Sequence, residues 1–100
     1  MDLGRFAEPA LLILISLADG PKHGYAIMED ARDVANQKIG PGTLYAALAR
    51  LEQRGLIEPV PSDDRRQPYR LTASGTAALH EHLSTMKSLV STGLERLGTP

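Results

Sequence analysis

The sequence predicts a mainly helical domain with one small β-hairpin, and three observations carry that prediction. Apolar residues recur at helical spacing around residues 27, 44 and 79. A polar turn of hairpin length, "PSDDRRQ", separates two short runs of β character. The last segment steps between apolar positions by alternating fours and threes, the seam of a helix that packs on another helix. One hundred residues give room for a single small domain.

Helix one is expected over about 9–19, with Pro9 tolerated in its first turn and Gly20-Pro21 ending it. "ALLILISLA" is apolar almost all round, which implies one face on its own domain and another covered by a partner. Helix two follows over about 23–35, with Ile27, Ala31 and Val34 as the inward stripe, and "QKI" as a short extended link. Helix three starts at Gly40 as N-cap and Pro41 as first helical residue, buries Leu44, Leu48 and Leu51, and ends at Gly55 in the C′ position. "LIEPV" (56–60) and "PYRLT" (68–72) read as strands, each with Pro at its margin. A Thr72 or Ser74 cap then opens a helix that runs nearly to the end. Three helices followed by a hairpin is the order of a winged helix-turn-helix, here over 1–72, with 73–100 as a long dimerisation helix in the same compact unit.

Composition narrows the function. The formal net charge of −1 argues against non-specific nucleic-acid binding, so any DNA contact must come from a local cluster. No cysteine is present, which excludes disulfides and cysteine metal sites. The apolar run at 10–18 is too short to span a bilayer; with Arg5 upstream it has the look of a signal h-region, but "DGPKHGY" follows at once and a buried helix suits it better. The expected compartment is the cytoplasm. Catalysis finds little footing. His80 and His82 diverge on a helix and cannot share a metal, and Gly40-Pro41-Gly42-Thr43 lacks the lysine of a phosphate-binding loop. An enzyme is not expected, nor a cofactor or metal.

With Leu44 inward, helix three turns Gly42, Ala46, Ala49, Arg50 and Gln53 outward, with Thr43 and Tyr45 on the flanks. Alanines permit close approach and can touch a thymine methyl, Arg50 and Gln53 reach base edges or phosphates, and Thr43 can donate to a phosphate beside free helix N–H groups. A plain solvated face fits the same residues. The turn holds Arg65 and Arg66, with Arg70 close behind; they suit a minor groove or its phosphates, or they keep an edge strand soluble. Asp63 and Asp64 would orient the arginines or turn the loop. Leu79, Leu83, Met86, Val90, Gly93 and Leu97 form the final seam, and with too little chain to cover it, a second copy is the expected partner, also meeting Leu11 and Ile15 of helix one. Gly93 lowers helix propensity yet lets two backbones come close.

Over roughly residues 8–80 the chain resembles the PadR-type transcriptional regulators, on "LLILISLADGPKHGYAIM", "GPGTLYAALARLEQRGLIEP" and "RRQPYRLTASGTAAL". A single helix after the wing is similar to the smaller subgroup of that family. The resemblance implies a homodimeric repressor whose two winged domains meet the halves of a roughly palindromic double-stranded DNA operator. It also implies that the hydroxyls of Tyr45 and Tyr25 face the phosphate backbone, and that a small aromatic or cationic compound can act as inducer. The chain departs from the pattern at Ala46, where Pro is frequent, and at Pro68-Tyr69, where two tyrosines are frequent. With no Trp, three Tyr and one Phe, an aromatic sandwich at the dimer centre is poorly supplied; Phe6 is the one candidate near that interface. The alternative is a winged-helix module that binds protein and never touches DNA.

Overall fold

A computed structural model describes residues 8–98. Its elements are α1 (Pro9–Leu17), β1 (Lys22–His23), α2 (Gly24–Ala35), α3 (Pro41–Gln53), β2 (Ile57–Pro59), β3 (Pro68–Leu71) and α4 (Ala73–Arg96). Every expected helix and both expected strands are present, within one or two residues of their expected ends.

α1 sits at the centre, touching α2, α3, α4 and β3. Leu12, Ile13, Leu14 and Leu17 are buried there, with Leu11 and Ile15 partly buried against the same core. The all-round apolarity of α1 is therefore met largely within the chain, a role the sequence reading gave in part to a partner. No helix among the described residues is long and apolar enough to cross a membrane.

α2 begins at His23, whose Nδ1 stands in the N-cap position 3.4 Å from the Ala26 nitrogen, and ends at Asn36, held left-handed at φ 50°. Val34 is the exception to the expected stripe, with 62% of its surface exposed. Ile27 and Ala31 are buried as expected, but the flanking contacts come from Met28 and Ala35. The inward face is thus centred between Ile27 and Met28, which rotates Val34 to the outer edge at 100° per residue. α3 has Gly40 as N-cap, Pro41 as its first residue, and Leu44, Ala47, Leu48 and Leu51 as its buried side.

The sheet has the order β1-β3-β2, all antiparallel. β3 pairs Leu71, Arg70 and Tyr69 with Ile57, Glu58 and Pro59 on one edge, and Tyr69 and Pro68 with Lys22 and His23 on the other. β1 was not foreseen. Two residues give no alternation to read, and the strand exists only because β3 lies alongside.

α4 starts in a tight junction. Thr72 Oγ1 accepts from the Gly75 N–H at 3.0 Å and donates to the Gly55 carbonyl at 2.6 Å, while the Thr72 N–H reaches the Leu56 carbonyl at 3.1 Å. A Cβ on Gly75 would lie 1.9 Å from that carbonyl oxygen, so only glycine lets the helix cross the backbone at Leu56, just before β2. Leu79 closes the junction inside the core. Beyond it the helix leaves the domain: residues 80–98 are all exposed, and the molecule measures 53 Å along its longest axis against 28 and 20 Å across.

Candidate nucleic-acid interface

Local chemistry shapes the wing. The Val60 N–H reaches the Pro68 carbonyl at 2.9 Å, extending the hairpin past its strands. The Gln67 side-chain amide donates to the carbonyls of Val60 (3.0 Å) and Pro68 (2.9 Å) and ties the loop across its base. Asp64 accepts from the Arg65 N–H at 2.6 Å, and Ser62 Oγ accepts from the Asp64 N–H at 3.1 Å. Of the two roles open to the acidic pair, Asp64 thus takes the turning of the loop.

α3 presents Thr43, Tyr45, Ala46, Ala49, Arg50 and Gln53 to solvent, as its periodicity predicts. Tyr25, on the first turn of α2, is also exposed. The fold brings Tyr25, Tyr45, Arg65 and Arg66 around one open groove of about 510 Å³, completed by His23, Gly24 and Gln67. Gly24 is buried, and a Cβ on it would come within 2.8 Å of the Tyr45 hydroxyl oxygen. Its bare backbone lets the Tyr45 ring lie across the start of α2. Arg66 points into this junction, with Nη1 3.2 Å from His23 Nε2.

Three residues of the groove were missed by sequence reasoning as site members: His23, Gly24 and Gln67. The available signal was the adjacency of a capping residue, a glycine and a tyrosine in "HGY", which says that something lies close to the start of α2. Nothing in the sequence says that it is the wing.

Arg70 stands apart from the groove. It pairs with Glu58, its register partner, at 2.9 Å on the open face of the sheet. An exposed pair of this kind contributes little stability. Tyr69 faces the other way, packed against the core. Burial first, and then the negative charge of Glu52, holds its phenol above the usual tyrosine value.

The predicted interface residues of α4 divide in two. Leu79 is 5% exposed, sealed in its own domain, whereas Leu83, Met86, Val90 and Leu97 are exposed, along with Leu89 and Leu94 beside them. Gly93 has no atom within 4 Å of where a Cβ would stand. Phe6 lies outside the described residues. A separate hollow of about 210 Å³ between α1, α3 and α4 is lined by Leu11, Leu14, Leu51 and Leu79, with Arg54 and His82.

Three helices, a hairpin that folds back beside the third, and a long final helix define a winged helix-turn-helix protein of the transcription-regulator class. Residues 13–81 match the model of the transcriptional regulator PadR-like family. The chain belongs to that family. It is 41% identical over 85 residues to a 37.1 kDa protein of transposon TN4556 from Streptomyces fradiae, covering 85% of this chain but 25% of that one. It is 35% identical over 86 residues to transcriptional regulator Rv3488 of Mycobacterium tuberculosis, covering 83% of this chain and 79% of that protein. A PadR family transcriptional regulator from Eggerthella lenta has the same fold, with a TM-score of 0.78 at 29% identity over 98% of this chain and 88% of the other.

Proposed function

We propose that two copies of this chain form a cytoplasmic transcriptional repressor that binds a roughly palindromic DNA operator. One observation carries the reading: the groove that gathers Tyr25, Tyr45, Arg65 and Arg66 where α2, α3 and the wing meet. Two hydroxyls and two guanidinium groups around one open groove suit a phosphate backbone, because each donates and the arginines bring charge. Ala46, Ala49, Arg50 and Gln53 continue along α3 and meet base edges in the major groove. Membership of a family of transcriptional regulators supports the same conclusion.

Dimerisation rests on α4. A helix standing free of its domain, with a row of exposed leucines and valine, gains stability only from packing on something else. Self-pairing along Leu83, Met86, Val90 and Leu97 supplies that cover and sets two α3 helices about one helical turn of DNA apart. An inducer would act by favouring a dimer geometry with the wrong spacing, which requires a higher affinity for that state. The hollow beside Leu11 and Leu79 is the apolar lining open to it.

A gel shift on the DNA upstream of the chain's own gene, repeated across a salt series, tests the reading. Binding should weaken steeply with salt as phosphate contacts release counterions. Absent or salt-independent binding would leave the protein-binding alternative in place. Arg50→Ala should weaken operator binding by about 1–3 kcal/mol and spare random DNA if Arg50 reads a base. Arg66→Ala should weaken both equally.

A further inference from the structure

The wing and the start of α2 meet at one imidazole. His23 ends β1 with Pro68 of β3 as its register partner, so its ring stands where the wing folds back. Nδ1 lies 3.4 Å from the Ala26 nitrogen, in position to cap α2, while Nε2 lies 3.2 Å from Nη1 of Arg66. Both partners are donors, since a guanidinium has no lone pair to offer.

A neutral imidazole cannot serve both. It carries one N–H and one lone pair. With the lone pair on Nδ1, α2 is capped, but the Nε2–H faces the N–H of Arg66. With the lone pair on Nε2, Arg66 donates into it, and the Nδ1–H faces the N–H of Ala26. The second contact has a charged donor and the shorter distance, and hydrogen bonds from charged donors are about twice as strong as neutral ones. That contrast favours the tautomer that holds the wing over the one that caps the helix.

We propose that His23 is a positioning residue that latches the wing in the free protein and releases it on DNA. Nε2 holds Arg66 beside the groove until a backbone phosphate takes the guanidinium. The proton on Nδ1 is then exchanged through solvent for one on Nε2, with no net gain or loss, and Nδ1 caps α2. Capture of a phosphate by the wing and tightening of the α2 start become one event. Tyr25, on that first turn, and Tyr45, lying across Gly24, are steadied in the same step. The release half rests on the DNA-binding reading; the latch itself does not.

Nitrogen NMR of the His23 ring decides it, because each nitrogen reports directly whether it bears a proton. The free protein should show an unprotonated Nε2. Arg66→Ala should move it to the N–H form without DNA, whereas Arg65→Ala should leave it unchanged. Adding a duplex of the chain's own upstream region to the unmutated protein should reproduce the Arg66→Ala signal. A cap with no latch would show Nε2–H in every sample, and that result overturns the proposal. A shift with Arg66→Ala but none with bound duplex keeps the latch and removes the release. If the duplex does not bind at all, the functional reading and the release fall together, and the free-protein comparison alone judges the latch.

Discussion

The two ends of α4 carry the same apolar rhythm and have opposite surroundings. At the first end, Thr72, Gly75 and Leu79 are bound into the domain by hydrogen bonds, a close backbone crossing and core packing. At the other, Leu83, Met86, Val90 and Leu97 continue the seam in the open. The steps of four and three run unbroken across the change. Periodicity reports which residues share a face; it does not report what covers that face. That distinction separates the part of α4 that is packed into the domain from the part whose cover, on the proposed reading, is a second copy.

The anchored end should break first. Gly75→Ala places a methyl where the Leu56 carbonyl oxygen stands, 1.9 Å away, and the obstacle is backbone and cannot rotate aside. Overpacking a tight site costs about 1–3 kcal/mol, occasionally more, and a clash with backbone belongs at or above the top of that range. Urea or thermal unfolding should show a loss of about 3 kcal/mol or more, with the start of α4 pushed off the Leu56 backbone. A loss near zero would mean that the crossing is loose and that α4 is not anchored at this point.

The free end should break differently. Leu83→Glu puts a charge in the middle of the seam while touching little of the domain. If copies pair as proposed, sedimentation should then give a monomer at concentrations where the unmutated chain associates, and the unfolding midpoint should cease to rise with protein concentration. Cooperative binding to both half-sites should vanish with it. A persistent dimer would mean that copies meet elsewhere, and the contrast between the ends would lose its meaning.

Gly93→Ala sharpens the same contrast, since its sign depends on the partner. In the Leu83→Glu background the helix is free, nothing lies within 4 Å of the new methyl, and alanine should stabilise by up to about 1 kcal/mol. In the dimer, if two backbones approach at this glycine, the same methyl should weaken association. A gain in both backgrounds would remove Gly93 from the seam.

Much of this was legible in the sequence, for identifiable reasons. α3 could be placed to within two residues because a Pro at its first position, a leucine stripe and a terminal glycine each act locally. The Thr72 cap was equally plain. β1 was not, because its pairing with β3 spans more than forty positions and leaves no local trace. Val34 misled because a stripe drawn at i, i+4, i+7 says nothing of where its centre falls. The candidate site was legible as residue types on two elements, Tyr45 on α3 and Arg65 and Arg66 on the wing. That His23 and Gly24 close the space between them is a product of the sheet. Arg70 looked equivalent to its neighbours until register set it opposite Glu58.

Inside the anchored domain, Ser16 is a smaller point of weakness. Its hydroxyl is buried with no hydrogen-bond partner, in the most enclosed helix of the fold. Ser16→Ala removes an unsatisfied polar atom and adds helix propensity, so unfolding should move toward greater stability by roughly 1 kcal/mol. Unchanged or reduced stability would indicate that the hydroxyl has a partner after all. The substitution should leave self-association untouched, which separates it from changes along α4.

The smallest effect lies in the turn between α1 and β1. Lys22 bonds both the Ser16 carbonyl and the Asp19 carboxylate, and so pins the end of the central helix to the start of the sheet. The hydrogen bond from Lys22, then its charge, hold the Asp19 carboxyl below its ordinary value of 3.8. A carboxyl depressed in the folded state binds protons less readily there than in the unfolded chain. Its contribution is therefore present above pH 3.8 and is lost as the pH falls through the lower folded value. Because Asp19 is fully exposed, solvent screens the pair and the effect should be slight. Asp19→Asn should lower the unfolding midpoint a little near pH 6, and the two proteins should converge once the pH falls below the depressed folded value of Asp19. Added salt at pH 6 should narrow the gap in the same direction. A gap that survives both acid and salt would assign the bond to hydrogen bonding alone, with the charge of Asp19 irrelevant to how the anchored domain is held.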